Sequence, residues 1–217
     1  GMSDQLSAQL APYGVSIAPQ ALSSPIAECR VELTRSYRFA ADSGIGTAAR
    51  AAREGDAAAL LQALVNSPDI SHCHVAQLPA QLDKGYAAYR EVAKQGDPAT
   101  AFAAFLQFRV LCAHRQGAAG VEGLNALMEA GRSLWYAGRP IIIRVNDYAL
   151  RLFNGDIGLC LPTPEGLRVF FESSPGYFRA LATGRLPLHE SAWAMTVHQS
   201  QCCAVAEVLL ALREVVP

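Results

Sequence analysis

The sequence predicts an α/β fold: a mostly parallel sheet flanked by helices and carrying a small antiparallel β unit. Three observations support this. As far as about residue 149, candidate strands alternate with stretches of helical period, the order that lays strands parallel. The run Arg139-Pro140-Ile141-Ile142-Ile143-Arg144-Val145 is β-branched enough to sit at the centre of that sheet. Between about residues 150 and 188 the texture changes to short strands separated by turn signals. The composition suits such a core, because 51% of the 217 residues are hydrophobic and only 17% are charged.

Taken in order, residues 2–28 hold Pro12, Pro19 and Pro25 without a sustained period, so they read as a lead-in with one short helix. Gly1 ahead of Met2 reads as a tag remnant and is set aside. Cys29, Val31 and Leu33 alternate with Arg30 and Glu32, the pattern of a strand with one buried face. Helices are predicted over 45–53 and 57–66, the second with Asp56 as its N-cap. Residues 70–76 read as a strand. Leu82, Tyr86, Tyr89 and Ala93 recur at helical spacing, and Asp97-Pro98 supplies a cap and a first-turn proline for another helix to about residue 107. A strand over 109–113, a glycine turn over 117–120 and a helix over 121–130 lead to the β-branched run. Asn154-Gly155 then marks a hairpin between 150–153 and 157–161. Strands over 167–171 and 177–181 flank Ser173-Ser174-Pro175-Gly176, a buried strand returns at 193–197, and a last apolar element covers 205–212. The expected divisions are therefore a lead-in (1–28), a main α/β part (29–149), a β insert (150–188) and a return segment (189–217).

A formal net charge of −1 excludes capture of nucleic acid by the field of the whole chain, so any such contact must be local. Lys84 and Lys94 are the lysines, and every other cationic side chain is arginine, whose planar fork suits carboxylates and phosphates. Six cysteines occur without a C-x-x-C pair, and Cys29, Cys112 and Cys160 lie in apolar runs where a thiol acts as a small hydrophobe. With no signal peptide and no apolar run of membrane length, the expectation is a soluble, cytoplasmic protein. His72-Cys73-His74 would set two imidazoles on one strand face, half of a zinc site. No partner pair has ligand spacing, so no metal is expected. Trp135, Tyr136 and Tyr148 read as stacking platforms or, more strongly, as packing residues. Asp156, following Asn-Gly, is expected to shape its turn.

Several strings, in order over about residues 28–201, resemble the RecD family, the alpha subunit of exodeoxyribonuclease V among superfamily 1 DNA helicases. They are Leu33-Thr34-Arg35-Ser36-Tyr37-Arg38-Phe39, Phe108-Arg109-Val110-Leu111-Cys112-Ala113, Gly120-Val121-Glu122-Gly123-Leu124-Asn125 and Gly138-Arg139-Pro140. Asn146-Asp147-Tyr148, Leu152-Phe153-Asn154-Gly155-Asp156-Ile157-Gly158 and Ala194-Met195-Thr196-Val197-His198-Gln199-Ser200-Gln201 continue the series. The resemblance implies a second RecA-like motor domain interrupted by a small antiparallel β-barrel of Src-homology type. It implies that Arg38 reaches the γ-phosphate of ATP, with Tyr37 beside the nucleotide. A permanently charged, bidentate guanidinium suits that task, whereas the residue pattern alone favours a surface arginine at a strand end. The same resemblance makes Thr196, His198, Ser200 and Asn146 DNA contacts and puts Gln201 near the nucleotide.

Departures accompany the likeness. The family has lysine where this chain has Gln199, and Gly-Ser-Glu-Phe where it has Cys202-Cys203-Ala204-Val205. These 217 residues contain no G-x-x-x-x-G-K-[ST] and no Asp-Glu magnesium motif. The expectation is that ATP and Mg²⁺ belong to a full-length parent and that this chain alone does not hydrolyse ATP. The implied partners are single- and double-stranded DNA and subunits of RecB and RecC type. The alternative is a protein-docking or DNA-binding module without motor chemistry.

Overall fold

The computed structural model describes residues 4–14, 43–71, 73–200 and 206–212. The strand expected at 29–33 lies outside them, as do Tyr37, Arg38, His72 and Gln201. The chain divides into two compact units, residues 1–72 and 73–217.

In the first unit, α1 (Asp4–Leu10) runs into a single 3-10 turn (Ala11–Tyr13). Helices α2 (Gly44–Glu54) and α3 (Ala57–Asn66) pack on each other. Each begins on a side-chain cap: the Asp56 carboxylate accepts from Ala59 N–H, as the sequence predicts, and the Ser43 hydroxyl accepts from Gly46 N–H. Gly55 turns the chain between them at φ 73°, a left-handed conformation that favours glycine.

The second unit opens with α4 (Leu78–Ala93), α5 (Pro98–Phe105), β1 (Phe108–Cys112) and α6 (Val121–Glu129). Strands β2 (Pro140–Ile143), β3 (Ile157–Thr163), β4 (Gly166–Ser174), β5 (Tyr177–Ala182), β6 (His189–Ser191), β7 (Ala194–Thr196) and β8 (Glu207–Ala211) follow. They form two sheets. In the first, β1 lies between β7 and β8 and is parallel to both, the helix-flanked parallel sheet that the sequence predicts. Leu82, Tyr86, Tyr89 and Ala93 on α4 are buried, and with Phe105, Phe108, Val110 and Trp193 they build its core. The Tyr86 hydroxyl donates to Trp193 O and the Tyr89 hydroxyl to Gly138 O, so both phenols are buried with partners.

The second sheet is antiparallel, in the order β5-β4-β3-β2-β6. It corrects two readings. The β-branched run is not central to the parallel sheet. Strand β2 lies between β3 and β6 in the antiparallel one. Its continuous apolar run follows from cover on both faces. Ile141 and Ile143 pack with Leu152, Cys160, Val169 and Phe171, while Ile142 packs with Ala192 and Met195. Residues 150–153 are not a hairpin strand either. The sole ladder contact there is an isolated bridge from Leu152 to Asp147, and Asn154-Gly155 turns within a longer β2–β3 loop. Apart from this sheet, the described residues of 70–76 form no strand. His74 caps a 3-10 turn (Val75–Gln77), its Nδ1 accepting from Ala76 N–H while Gln77 Oε1 accepts from His74 N–H. That reciprocal cap outweighs any period-2 pattern in so short a stretch.

The antiparallel sheet thus takes in β2 and β6, on either side of the 150–188 segment, and its strands pair in a line with β5 and β6 as edges. Helix α5 touches both sheets: Ala101 and Phe105 belong to the parallel sheet's core, and the Phe102 ring lies 5.1 Å from that of Phe178 on β5. No helix among the described residues is long and apolar enough to cross a membrane.

Candidate functional site

Parallel strands deliver their loops to one edge, and ligands of open α/β sheets bind at that carboxyl edge. Here the register levels Cys112 with both Thr196 and Ala211, so β1 and β7 release residues 113–120 and 197–200 at the same edge. The first of these loops borders an open cleft of about 660 Å³, lined by Val75 and residues 114–120.

This loop folds back onto the start of α6. His114 O accepts from Val121 N–H at 3.1 Å and Arg115 O from Glu122 N–H at 2.9 Å. The first amides of the helix are therefore occupied by protein carbonyls and do not form an open anion cradle. Close approach also explains two glycines. A Cβ on Gly120 would lie 2.3 Å from Gln116 O, and one on Gly123 would lie 2.4 Å from Gly117 O. Arg115 is held as well. Its Nη2 donates to Glu190 Oε2 at 2.9 Å, and that hydrogen bond and charge raise its already high pKa. Glu190 also pairs with Arg144 at 3.5 Å, so one carboxylate on β6 joins the first arginine of the β2–β3 loop to the loop after β1.

The turn after β7 (Val197–Ser200) carries His198 and Ser200, and Thr196 ends the strand that leads into it. Thr196 donates from both its backbone N–H and its hydroxyl to Gln199 Oε1, each at 3.0 Å. The Ser200 hydroxyl donates to Val197 O at 2.8 Å. Both hydroxyl protons thus point into their own turn, and the Gln199 amide braces it. His198 stands exposed between them. Asn146 belongs to another loop. It sits in the β2–β3 loop, where its Oδ1 accepts from Asn154 N–H at 2.8 Å.

Two polar residues that the sequence reading passed over hold this edge in place. Asn125, buried on α6, donates to Ser191 O and Ala194 O and accepts from Ala194 N–H, so one amide grips the β6–β7 connection. One oxygen of Glu129, Oε1, accepts from the Tyr136 and Ser191 hydroxyls, the Arg139 Nε and the Trp193 indole. Burial, reinforced by the Glu129 charge, keeps the Tyr136 phenol protonated well above its usual range. The one signal in the sequence was a polar residue on the apolar face of a helix, which Asn125 is. Tyr136 and Trp135 are packing residues, Trp135 with Arg139 over its ring, whereas Tyr148 is 76% exposed. Asp156 shapes its turn as expected, accepting from Phe153 N–H at 2.8 Å.

No family model matches the chain. Curated relatives do. Over 194 residues it is 39% identical to the RecBCD enzyme subunit RecD of Mycolicibacterium smegmatis, covering 83% of this chain and 34% of that protein. The subunit of the same name from Mycobacterium tuberculosis is 37% identical over 191 residues, with 82% and 33% covered. That of Haemophilus influenzae is 34% identical over 233 aligned positions, with 91% and 35% covered. The chain belongs to the RecD family. It spans about a third of the length of the curated relatives it matches, so what a whole RecD subunit does is a matter of proposal for this segment. A Pif1 helicase from Bacteroides, solved with ADP-AlF3 and single-stranded DNA, aligns at TM-score 0.36 and 13% identity over 67% of this chain and 43% of that one. That likeness is too slight to carry an argument about the fold.

Proposed function

We propose that this RecD-family segment is the second, RecA-like motor domain of an ATP-dependent DNA helicase, the alpha subunit of an exodeoxyribonuclease V acting in break repair and recombination. It would supply one wall of the ATP cleft, through Arg38 and Tyr37 with Gln201 nearby, and part of the single-strand track, through Thr196, His198, Ser200 and Asn146. The antiparallel sheet would be its inserted barrel of Src-homology type. ATP and Mg²⁺ would be held with residues of the whole parent, and RecB- and RecC-type subunits would be its partners. What carries the reading is the identity to RecD subunits over most of the chain, taken with a polar turn at the carboxyl edge of a parallel sheet. A non-catalytic DNA-binding or protein-docking module is the second reading. It is favoured by the inward hydroxyls of Thr196 and Ser200 and by Gln199 where the family has lysine.

One pair of substitutions in the full-length parent tests the assignment. Arg38→Ala should lower DNA-stimulated ATP turnover on the order of 10³-fold, because charge-stabilising arginines act in the transition state, and should leave nucleotide-free strand binding nearly unchanged. His198→Ala should weaken strand binding and spare turnover at saturating DNA. An Arg38→Ala protein with full turnover and reduced DNA affinity would overturn the placing of Arg38 in the ATP cleft, and a parent without DNA-stimulated turnover would leave the binding module.

A further inference from the structure

The loop joining β2 to β3, residues 144–156, is long, exposed and unusually well braced. Asp147 and Leu152 exchange both backbone hydrogen bonds, at 2.7 and 2.9 Å. The Asp147 carboxylate accepts from Leu150 N–H, the Asp156 carboxylate from Phe153 N–H, and the Asn146 amide from Asn154 N–H. Leu152 anchors the loop, 1% exposed. Arg151 holds a left-handed φ of 48°, rare for a side chain of that size, and its carbonyl accepts from Arg179. A loop fixed this firmly presents its outward side chains at little entropic cost.

What it presents has one chemical character. The rings of Tyr148 and Phe153 are exposed and meet edge-on, with centroids 6.1 Å apart and planes at 76°. Arg151 is exposed beside them. Both acidic side chains of the loop are turned onto its backbone as turn braces, while the Arg151 side chain stays exposed. Exposed aromatic rings are costly to leave in water, and the inner packing of the loop uses neither of these two.

The geometry points to the Tyr148–Phe153 pair as a stacking platform for unpaired bases, with Arg151 beside it for a phosphate: a second single-strand contact, distinct from the turn at 196–200. It rests on the strand-binding function proposed above. Single-stranded nucleic acid is the occupant that matches both halves of the patch, since every base has an apolar face and every linkage a negative charge. The ion pairs of Glu190 with Arg144 and Arg115 tie the root of this loop to the loop after β1, which leaves the parallel sheet at the same edge as the turn at 196–200.

Binding of a fluorescent thymidine oligonucleotide to the intact 217-residue chain, followed by anisotropy, tests the platform. Tyr148→Ala with Phe153→Ala should weaken binding on the order of ten- to a hundred-fold, while the slope of affinity against salt stays unchanged, because rings release no counterions. Tyr148→Phe should bind as the parent does. An abasic oligonucleotide of equal length should bind the parent weakly and be indifferent to the double substitution. Arg151→Ala should instead reduce the salt slope. Equal binding of thymidine and abasic strands, or a double variant that binds like the parent, overturns the platform while leaving strand binding intact. No binding by the parent at all sinks both this inference and the strand-track proposal. Melting curves of each variant separate lost contact from lost fold.

Discussion

The two sheets of the second unit are stabilised in different ways. The parallel sheet gathers strands far apart in sequence, and long-range polar ties run from the helices beside it: Tyr86 to Trp193 and Asn125 to Ala194 at the entry to β7, and Tyr89 to Gly138 and Asn125 to Ser191 on the antiparallel side. The antiparallel sheet grows by consecutive hairpins from β3 to β5, and its cluster of Ile141, Ile143, Leu152, Cys160, Val169 and Phe171 is almost wholly apolar. Even its glycine follows this rule. Gly158 faces Phe171 across the ladder, and a Cβ there would lie 2.6 Å from that ring. The contrast teaches that the first sheet should be vulnerable to ionisation and lost hydrogen bonds, and the second to changes of volume.

Alkaline pH should produce the largest effect. Burial raises the Tyr86 and Tyr89 phenols and pushes Cys112 up to about 11, all in the parallel sheet's core, whereas the antiparallel cluster holds Cys160 alone, also at about 11. Each group keeps its proton in the folded state beyond the ordinary value of 9.0 for a thiol or 10.0 for a phenol. The stability it adds is therefore complete below that ordinary value and is lost as pH climbs through the raised one. Three such groups lie on the parallel side and one on the other, so the parallel side should lose more stability as pH climbs. The tryptophans report separately: Trp193 belongs to the first core and Trp135 packs on the second. In Trp135→Phe protein the Trp193 signal should collapse on alkaline titration before the Trp135 signal does in Trp193→Phe protein. The reverse order would break the comparison.

Paired core substitutions sharpen it. Asn125→Ala strands two carbonyls and an amide at the β6–β7 connection and should cost about 2–4 kcal/mol in urea unfolding, with Asn125→Asp recovering little. Ile143→Ala should cost a similar 2–5 kcal/mol, but Ile143→Val only about 0.5–1.5, because what is lost there is volume. Equal behaviour of the two conservative variants would contradict the proposed difference. Smaller still is Gly123→Ala. Alanine favours helix by about 1 kcal/mol, yet its Cβ would meet a backbone oxygen, so a net loss of about 1–2 kcal/mol is expected in thermal unfolding.

Local features were legible in the sequence for the same reason that the antiparallel sheet is robust. The Asp56 and Asp97 caps, the buried stripe of α4 and the strands around Ser173-Ser174-Pro175-Gly176 are decided within a few residues, and each is found where expected. The partners of a strand are not local. The run Pro140-Ile141-Ile142-Ile143 announced burial on two faces, which suits the middle of either sheet, and only the register with β3 and β6 decides between them. At the candidate site, the string Thr196–Gln201 and the Gly120–Asn125 motif were visible as sequence, and the turn Val197–Ser200 follows from the first. Nothing in the spacing revealed that Gln199 braces that turn, or that Asn125 and Glu129 hold the strand leading to it. Those ties join residues distant in the chain, and a polar side chain on a helix names no partner.

The smallest stability effect belongs to the carboxylate that connects the two sheets, and it has the clearest functional readout. Glu190 on β6 of the antiparallel sheet pairs with Arg144 and with Arg115 in the loop after β1 of the parallel one. The pairs are partly exposed, so solvent screens them, and Glu190→Gln should move the unfolding midpoint by little, well within about 1 kcal/mol. The substitution removes the negative charge that occupies both guanidiniums. Two arginines flanking the cleft and the aromatic loop would then be available to phosphate. Affinity for a thymidine oligonucleotide should rise several-fold at low salt, and the dependence of affinity on salt should steepen as added contacts release counterions. Arg115→Ala in the Glu190→Gln background should cancel part of that gain, whereas in the parent it should change strand binding little, because there Arg115 is held by Glu190. If Glu190→Gln instead weakens strand binding, the carboxylate acts as the scaffold that aligns the two loops, and the sheets depend on each other more than their separate modes of stabilisation suggest.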